Sequence, residues 1–222
     1  MPWRLLDTAA RAEEKAQEGQ TAIVTGTVID NCDLINESKV TVRIPSRGIT
    51  VHAQLATIGG GPDAGFLYVP RADDQVLVAL ENNDPKAAHI LGGLWSASDT
   101  PPVSNPLETM SKRVIKTGLT KGVGHTLEFD DLKQSIKIES TTKQQVTIDP
   151  FKIELTNTAG TLSITLDNKS QTVTIKGINV TVEAAAKLEL KGATVDVTAK
   201  AKLAAKSDGL VAINGTMVKI NS

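Results

Sequence analysis

From about residue 110 to residue 222 the apolar positions recur at every second residue. Ile136–Lys137–Ile138, Val146–Thr147–Ile148, Leu162–Ser163–Ile164, Val173–Thr174–Ile175, Val195–Asp196–Val197 and Val218–Lys219–Ile220 all follow this pattern. A period of two gives a β-strand one dry face of Ile, Val and Leu and one wet face of Thr, Lys, Ser, Asp and Glu. Roughly a dozen such segments succeed one another, split by a few residues of Gly, Asn, Asp or Thr, with no helix-length insertion. The only aromatic residues in this stretch are Phe129 and Phe151. A core built this way is narrow and uniform, and the pattern predicts a rod.

The front of the chain reads differently. Residues 8–18 (TAARAEEKAQE) run into Gly19 and predict a short helix with a glycine stop. They hold few large apolar residues, so a frayed or partner-docked arm over 1–20 is the equal alternative. Beyond Thr21, the segments TAIVTGTVID, KVTVRIP, ITVHAQLATI, GFLYVP, DQVLVALE and AAHILGGLW alternate with turn-rich stretches. Five or six short strands in residues 21–96 predict a small closed or half-closed, OB-like barrel. The apolar run Val76–Leu80 suggests a strand covered on both faces. Residues 97–110 (ASDTPPVSNPLETM) carry three prolines and predict a linker, leaving 111–222 for the rod.

Composition and charge narrow the function. Residues 1–104 hold 8 basic and 13 acidic side chains, against 16 and 12 in residues 105–222. The lysines sit singly on strand exteriors, so neither half offers a nucleic-acid-binding face. One cysteine, Cys32, cannot form an intrachain disulfide. The first residues lack an apolar run of signal-peptide length, which predicts synthesis in the cytoplasm without a signal peptide.

Two stretches carry a family resemblance. VTGTVIDN…KVTVRIP resembles the opening hairpin of the central spike proteins of contractile injection machines, and GFLYVPRADDQVLVALENNDPKAAHILGGLW resembles their following strands. The family includes gpV-like phage baseplate spikes and VgrG-like spikes of type VI secretion. Ala72–Asp73 stands where Gly–Asp is usual, Leu80 where Phe is common, and Asn83–Asp84 where Gly–Asp is common. No lysozyme-like insert and no gpD-like hub domain is recognisable. The resemblance implies an all-β chain: an N-terminal OB-like barrel, then a C-terminal intertwined trimeric β-helix, a triangular β-prism over 111–222. Open strand edges in a single chain agree with such a closure by three chains. At ~4.8 Å per strand the rod would measure about 60 Å.

It further implies a non-enzymatic trimeric spike in the baseplate of a phage virion or phage-like injection particle. Such a spike punctures the target cell envelope and links the baseplate hub or inner tube at its N-terminal end to a PAAR-like tip protein at its C-terminal end. DGLVAINGTMVKINS reads as a last pair of strands, placing Met217, Val218 and Ile220 at a blunt apolar face that such a tip would cover. The alternative is a trimeric tail fibre or tailspike that binds a receptor or glycan. Few aromatics are available to line a sugar groove, and the barrel ahead of a bare rod favours the spike.

Candidate chemistry is sparse. His52, His89 and His125 lie in different segments and read as strand or turn residues; no HExxH, GxSxG or Cys/His cluster occurs. No His-x-His near the C-terminus supplies the metal tip of some family members. Gly59–Gly61 lacks the Gly-Lys-Ser/Thr of a phosphate loop and reads as a flexible connection. Asp73–Asp74 and Glu128–Asp130–Asp131 read as solvated turn carboxylates. No catalytic, cofactor or metal residue is expected.

Overall fold

The computed structural model describes residues 20–31, 39–118, 120 and 122–220. The helix expected over 8–18, nearly all of the 1–20 arm, and Cys32 lie outside the described residues. The chain divides into two compact units between Ile178 and Asn179.

The first unit opens with strands β1 (Ala22–Asp30), β2 (Val40–Ile44) and β3 (Ile49–Leu55). Two short strands, β4 (Gly60–Gly61) and β5 (Ala64–Gly65), pair only with each other, and β6 (Gln75–Leu80) and β7 (Ala88–Leu94) follow. The barrel closes in the order β1-β2-β3-β7-β6, with β6 returning to β1. Every pairing is antiparallel except β3 with β7. Alternation decides what points inward: Val28, then Val40, Val42 and Ile44, then Val51 and Ala53, Val76, Val78 and Leu80, and Ala88 and Ile90. Fully burying such a side chain is worth about 1.5–3 kcal/mol. No aromatic ring belongs to this core, so the barrel is thin and its strands approach closely. At Gly26 on β1, a Cβ would come 2.4 Å from Val42 Cγ1 and 3.2 Å from the Arg43 carbonyl. Only glycine fits there.

Two details differ from the sequence reading. GFLYVP supplies no barrel strand: Phe66–Pro70 runs as irregular chain beyond β5, so five strands close the barrel. A bulge between Leu77 and Val78 shifts the β6–β7 register and turns Leu91 outward, where it is half exposed. Val76–Leu80 is covered outside only in part, with Ala79 nearly buried and Leu77 half-buried.

A single-turn helix, α1 (Pro106–Thr109), leads into a seven-stranded antiparallel meander. Its strands are β8 (Lys112–Lys116), β9 (Thr126–Asp130), β10 (Ser135–Glu139), β11 (Gln145–Ile148), β12 (Lys152–Thr156), β13 (Ser163–Asp167) and β14 (Thr172–Lys176). The five hairpin loops between β9 and β14 each begin with a short polar side chain that folds back on the loop. Asp130 Oδ1 accepts from the Lys133 amide, Ser140 Oγ from Gln144, Asp149 Oδ1 from Phe151 and Lys152, Asn157 Oδ1 from Thr161 and Leu162, and Asp167 Oδ1 from Lys169 and Ser170. Such Asx- and Ser-turns reverse the chain so that each strand returns beside the last.

The second unit, described over 179–220, forms no strand within the chain, and all these residues are exposed. The dozen strands expected between 111 and 222 are therefore seven in the chain's own ladder. Residues 180–195 and 197–206 contain none of the Asp, Asn or Ser residues that close the hairpin loops between β9 and β14.

Candidate assembly face

The meander's register sorts its side chains completely. Residues opposite one another in neighbouring strands share a face, and the pairings propagate across the sheet as rows. One row is Ile115–Leu127–Ile138–Val146–Leu155–Ile164–Ile175. The row beside it is Arg113–Phe129–Ile136–Ile148–Ile153–Leu166–Val173. Thirteen of these fourteen positions are apolar. The opposite face repeats Lys, Glu, Thr, Ser and Gln, with Val114 as its one large apolar residue.

The apolar face is bare in the single chain. Ile136 is 37% exposed, Ile138 51%, Ile175 58% and Val173 66%. An uncovered two-row stripe spanning seven strands exceeds the apolar patches that monomers ordinarily carry. Covering it would stabilise an assembly by about 1 kcal/mol per half-exposed side chain.

The polar face is braced by ion pairs. Glu139 lies 2.6 Å from Lys137 Nζ and 2.5 Å from Lys143 Nζ, and these two ammonium groups hold its carboxyl down at about 2. Glu154, 2.6 Å from Lys152 Nζ, raises that ammonium above its usual value. Lys112 reaches Glu108 at 3.2 Å and Glu128 at 3.5 Å, and the hydrogen bond with Glu108 is the main cause of its raised pKa. These pairs distinguish the charged side of the sheet from the apolar one.

The remaining sequence candidates fall in separate places. Met217, Val218 and Ile220 are all exposed in the second unit. His52 Nδ1 lies 3.2 Å from Thr41 Oγ1 across the β2–β3 ladder, and His89 Nε2 lies 3.9 Å from Glu81. Asp74 accepts from the Arg71 amide and guanidinium, and the Asp73 amide donates to the Val28 carbonyl, so this pair closes the turn that leads into β6 and ties it to β1. Asp130 is no solvated residue: it is 3% exposed, held by the loop it closes. Glu128 stands within β9, paired to Lys112. Among the described residues, no three His, Cys, Asp or Glu side chains come together as a metal site would require.

Tyr68 escaped sequence reasoning. It sits in the loop after β5, stacked with Phe66 at 6.4 Å, and its hydroxyl donates to the Lys116 carbonyl of β8 at 2.9 Å. The partners are 48 residues apart. An aromatic within an apolar stretch gives no local sign of so distant a bond.

Comparison with known proteins bears on the barrel. Residues 24–95 match the type VI secretion system/phage-baseplate injector OB domain. A segment of 72 residues is 36% identical to the actin cross-linking toxin VgrG1 of Vibrio cholerae serotype O1. That segment is 32% of this chain and 6% of the toxin's length.

Proposed function

We propose that the chain, whose residues 24–95 match the type VI secretion system/phage-baseplate injector OB domain, is a subunit of a homotrimeric, non-enzymatic central spike of the gpV/VgrG-like kind. The single observation that carries this reading is the bare two-row apolar face of the meander. Every copy bears the same face, so cyclic association buries all of them at once. The family resemblance supplies the number three. The unladdered alternating segments of 179–220 support the intertwined β-prism, since strands without partners in their own chain obtain them from other chains.

In this reading the spike works by stiffness. Interchain hydrogen bonds and a dry axis transmit axial force to the target envelope, while the barrels form a collar against the baseplate hub or inner tube. Met217, Val218 and Ile220 of three chains form the surface for a PAAR-like tip protein. The particle is a phage virion or phage-like injection machine.

Light scattering tests the assembly: the expected mass is three times the 23.5 kDa chain. A folded monomer sinks the spike. For the tip, a chain lacking residues 215–222 is expected to remain trimeric yet fail to retain its tip protein in cryo-microscopy of whole particles. A normal cone of density on that variant refutes the assignment.

A further inference from the structure

The meander has two edge strands, and they are treated differently. Backbone groups of successive residues in a strand point to opposite sides. The Thr117 amide donates to His125, and the Asp131 amide to Ser111, so these odd-numbered positions face the β8–β9 ladder. Lys112, Val114 and Lys116 therefore turn their amides and carbonyls to the outer edge of β8. Two of those three carbonyls are already occupied. Lys112 O accepts from Arg113 Nη1 at 2.9 Å, and Lys116 O accepts from Tyr68 at 2.9 Å. The same guanidinium nitrogen also reaches Thr109 O at 3.4 Å and Met110 O at 3.3 Å, which ties it to the end of α1.

The far edge has a different character. The Asn157 amide donates to Leu162, and continuing the alternation through β13 leaves Val173 and Ile175 facing outward from β14. All five residues of β14 are exposed. The chain beyond it consists of alternating segments that form no ladder within the chain.

We propose that Tyr68 and Arg113 are edge guards, sealing the barrel-side edge of the meander so that strands of a second copy add only at β14. Two of the three acceptors that an incoming strand would need on β8 are spoken for, one by the barrel's own loop and one by a side chain anchored on α1. An open edge invites pairing with any extended chain. Sealing one edge gives strand addition a single direction, away from the barrel. This rests on the assembly proposed above, whose failure is separately visible.

The experiment is residue-resolved hydrogen exchange on the full chain, with native mass measured on the same sample. The amides of Val173 and Ile175 are expected to be protected at least 100-fold over Val114. Protection of Val114 equal to theirs, in a trimer, overturns the edge assignment and leaves the spike standing. A monomer with all three amides unprotected overturns both. A Tyr68→Phe, Arg113→Gln variant supplies the second measurement. Species at twice the wild-type mass, joined through β8, are expected; a mass distribution unchanged from wild type refutes the guards.

Discussion

Gly26 shows how tightly a barrel without aromatic rings is specified. Its missing Cβ leaves room for Val42, which would otherwise stand 2.4 Å from it. Overpacking of this kind costs about 1–3 kcal/mol, so Gly26→Ala should lower the barrel's thermal midpoint by several degrees. Calorimetry showing an unchanged midpoint would mean that β1 and β2 separate more readily than their packing indicates. The reason for this glycine became visible once β1 and β2 were paired.

Strand phase governs the meander as an element. Ile175 belongs to the apolar row and Thr174 to the polar face. In the proposed trimer, Ile175→Asp places a charge from each copy in the interface, at several kcal/mol per desolvated ion, and should abolish assembly. Thr174→Asp should be nearly silent. Sedimentation of the two variants decides, and equal behaviour disproves the phase.

Glu139 adds a pH dependence to the same sheet. Its folded-state carboxyl sits at about 2, below its ordinary 4.5, because of Lys137 and Lys143. The stabilisation from these pairs is therefore complete above pH 4.5 and disappears as pH falls toward 2. The stability gap between wild type and Glu139→Gln, measured by urea unfolding, should shrink across that interval. A gap constant with pH would show that the lysines do not hold the carboxylate.

For the whole molecule, stability and association are one quantity if the apolar face is closed by other copies. The thermal midpoint of the meander should rise with protein concentration, while a change confined to the barrel, such as Gly26→Ala, leaves that slope alone. A chain ending at residue 178 should still form the meander yet dissociate at a higher protein concentration than the full chain. Analytical ultracentrifugation across a dilution series checks both. Equal dissociation of the two chains would show that residues 179–222 add nothing to the assembly.

Alternation alone was enough to make this chain all-β, to separate a valine-rich barrel from a run of narrow strands, and to predict which residues of Val173–Thr174–Ile175 share the apolar row. Those properties are local, because a period of two needs no knowledge of neighbours. The turn-closing residues Asp130, Ser140, Asp149, Asn157 and Asp167, and their disappearance between 180 and 195, were equally local signs of where the meander stops. Only the tertiary structure could show that GFLYVP lies outside the barrel, that Leu91 faces outward, and that Tyr68 bonds to Lys116. Each depends on register or on groups far apart in the chain, where a shift of one residue exchanges the inner and outer faces of a strand.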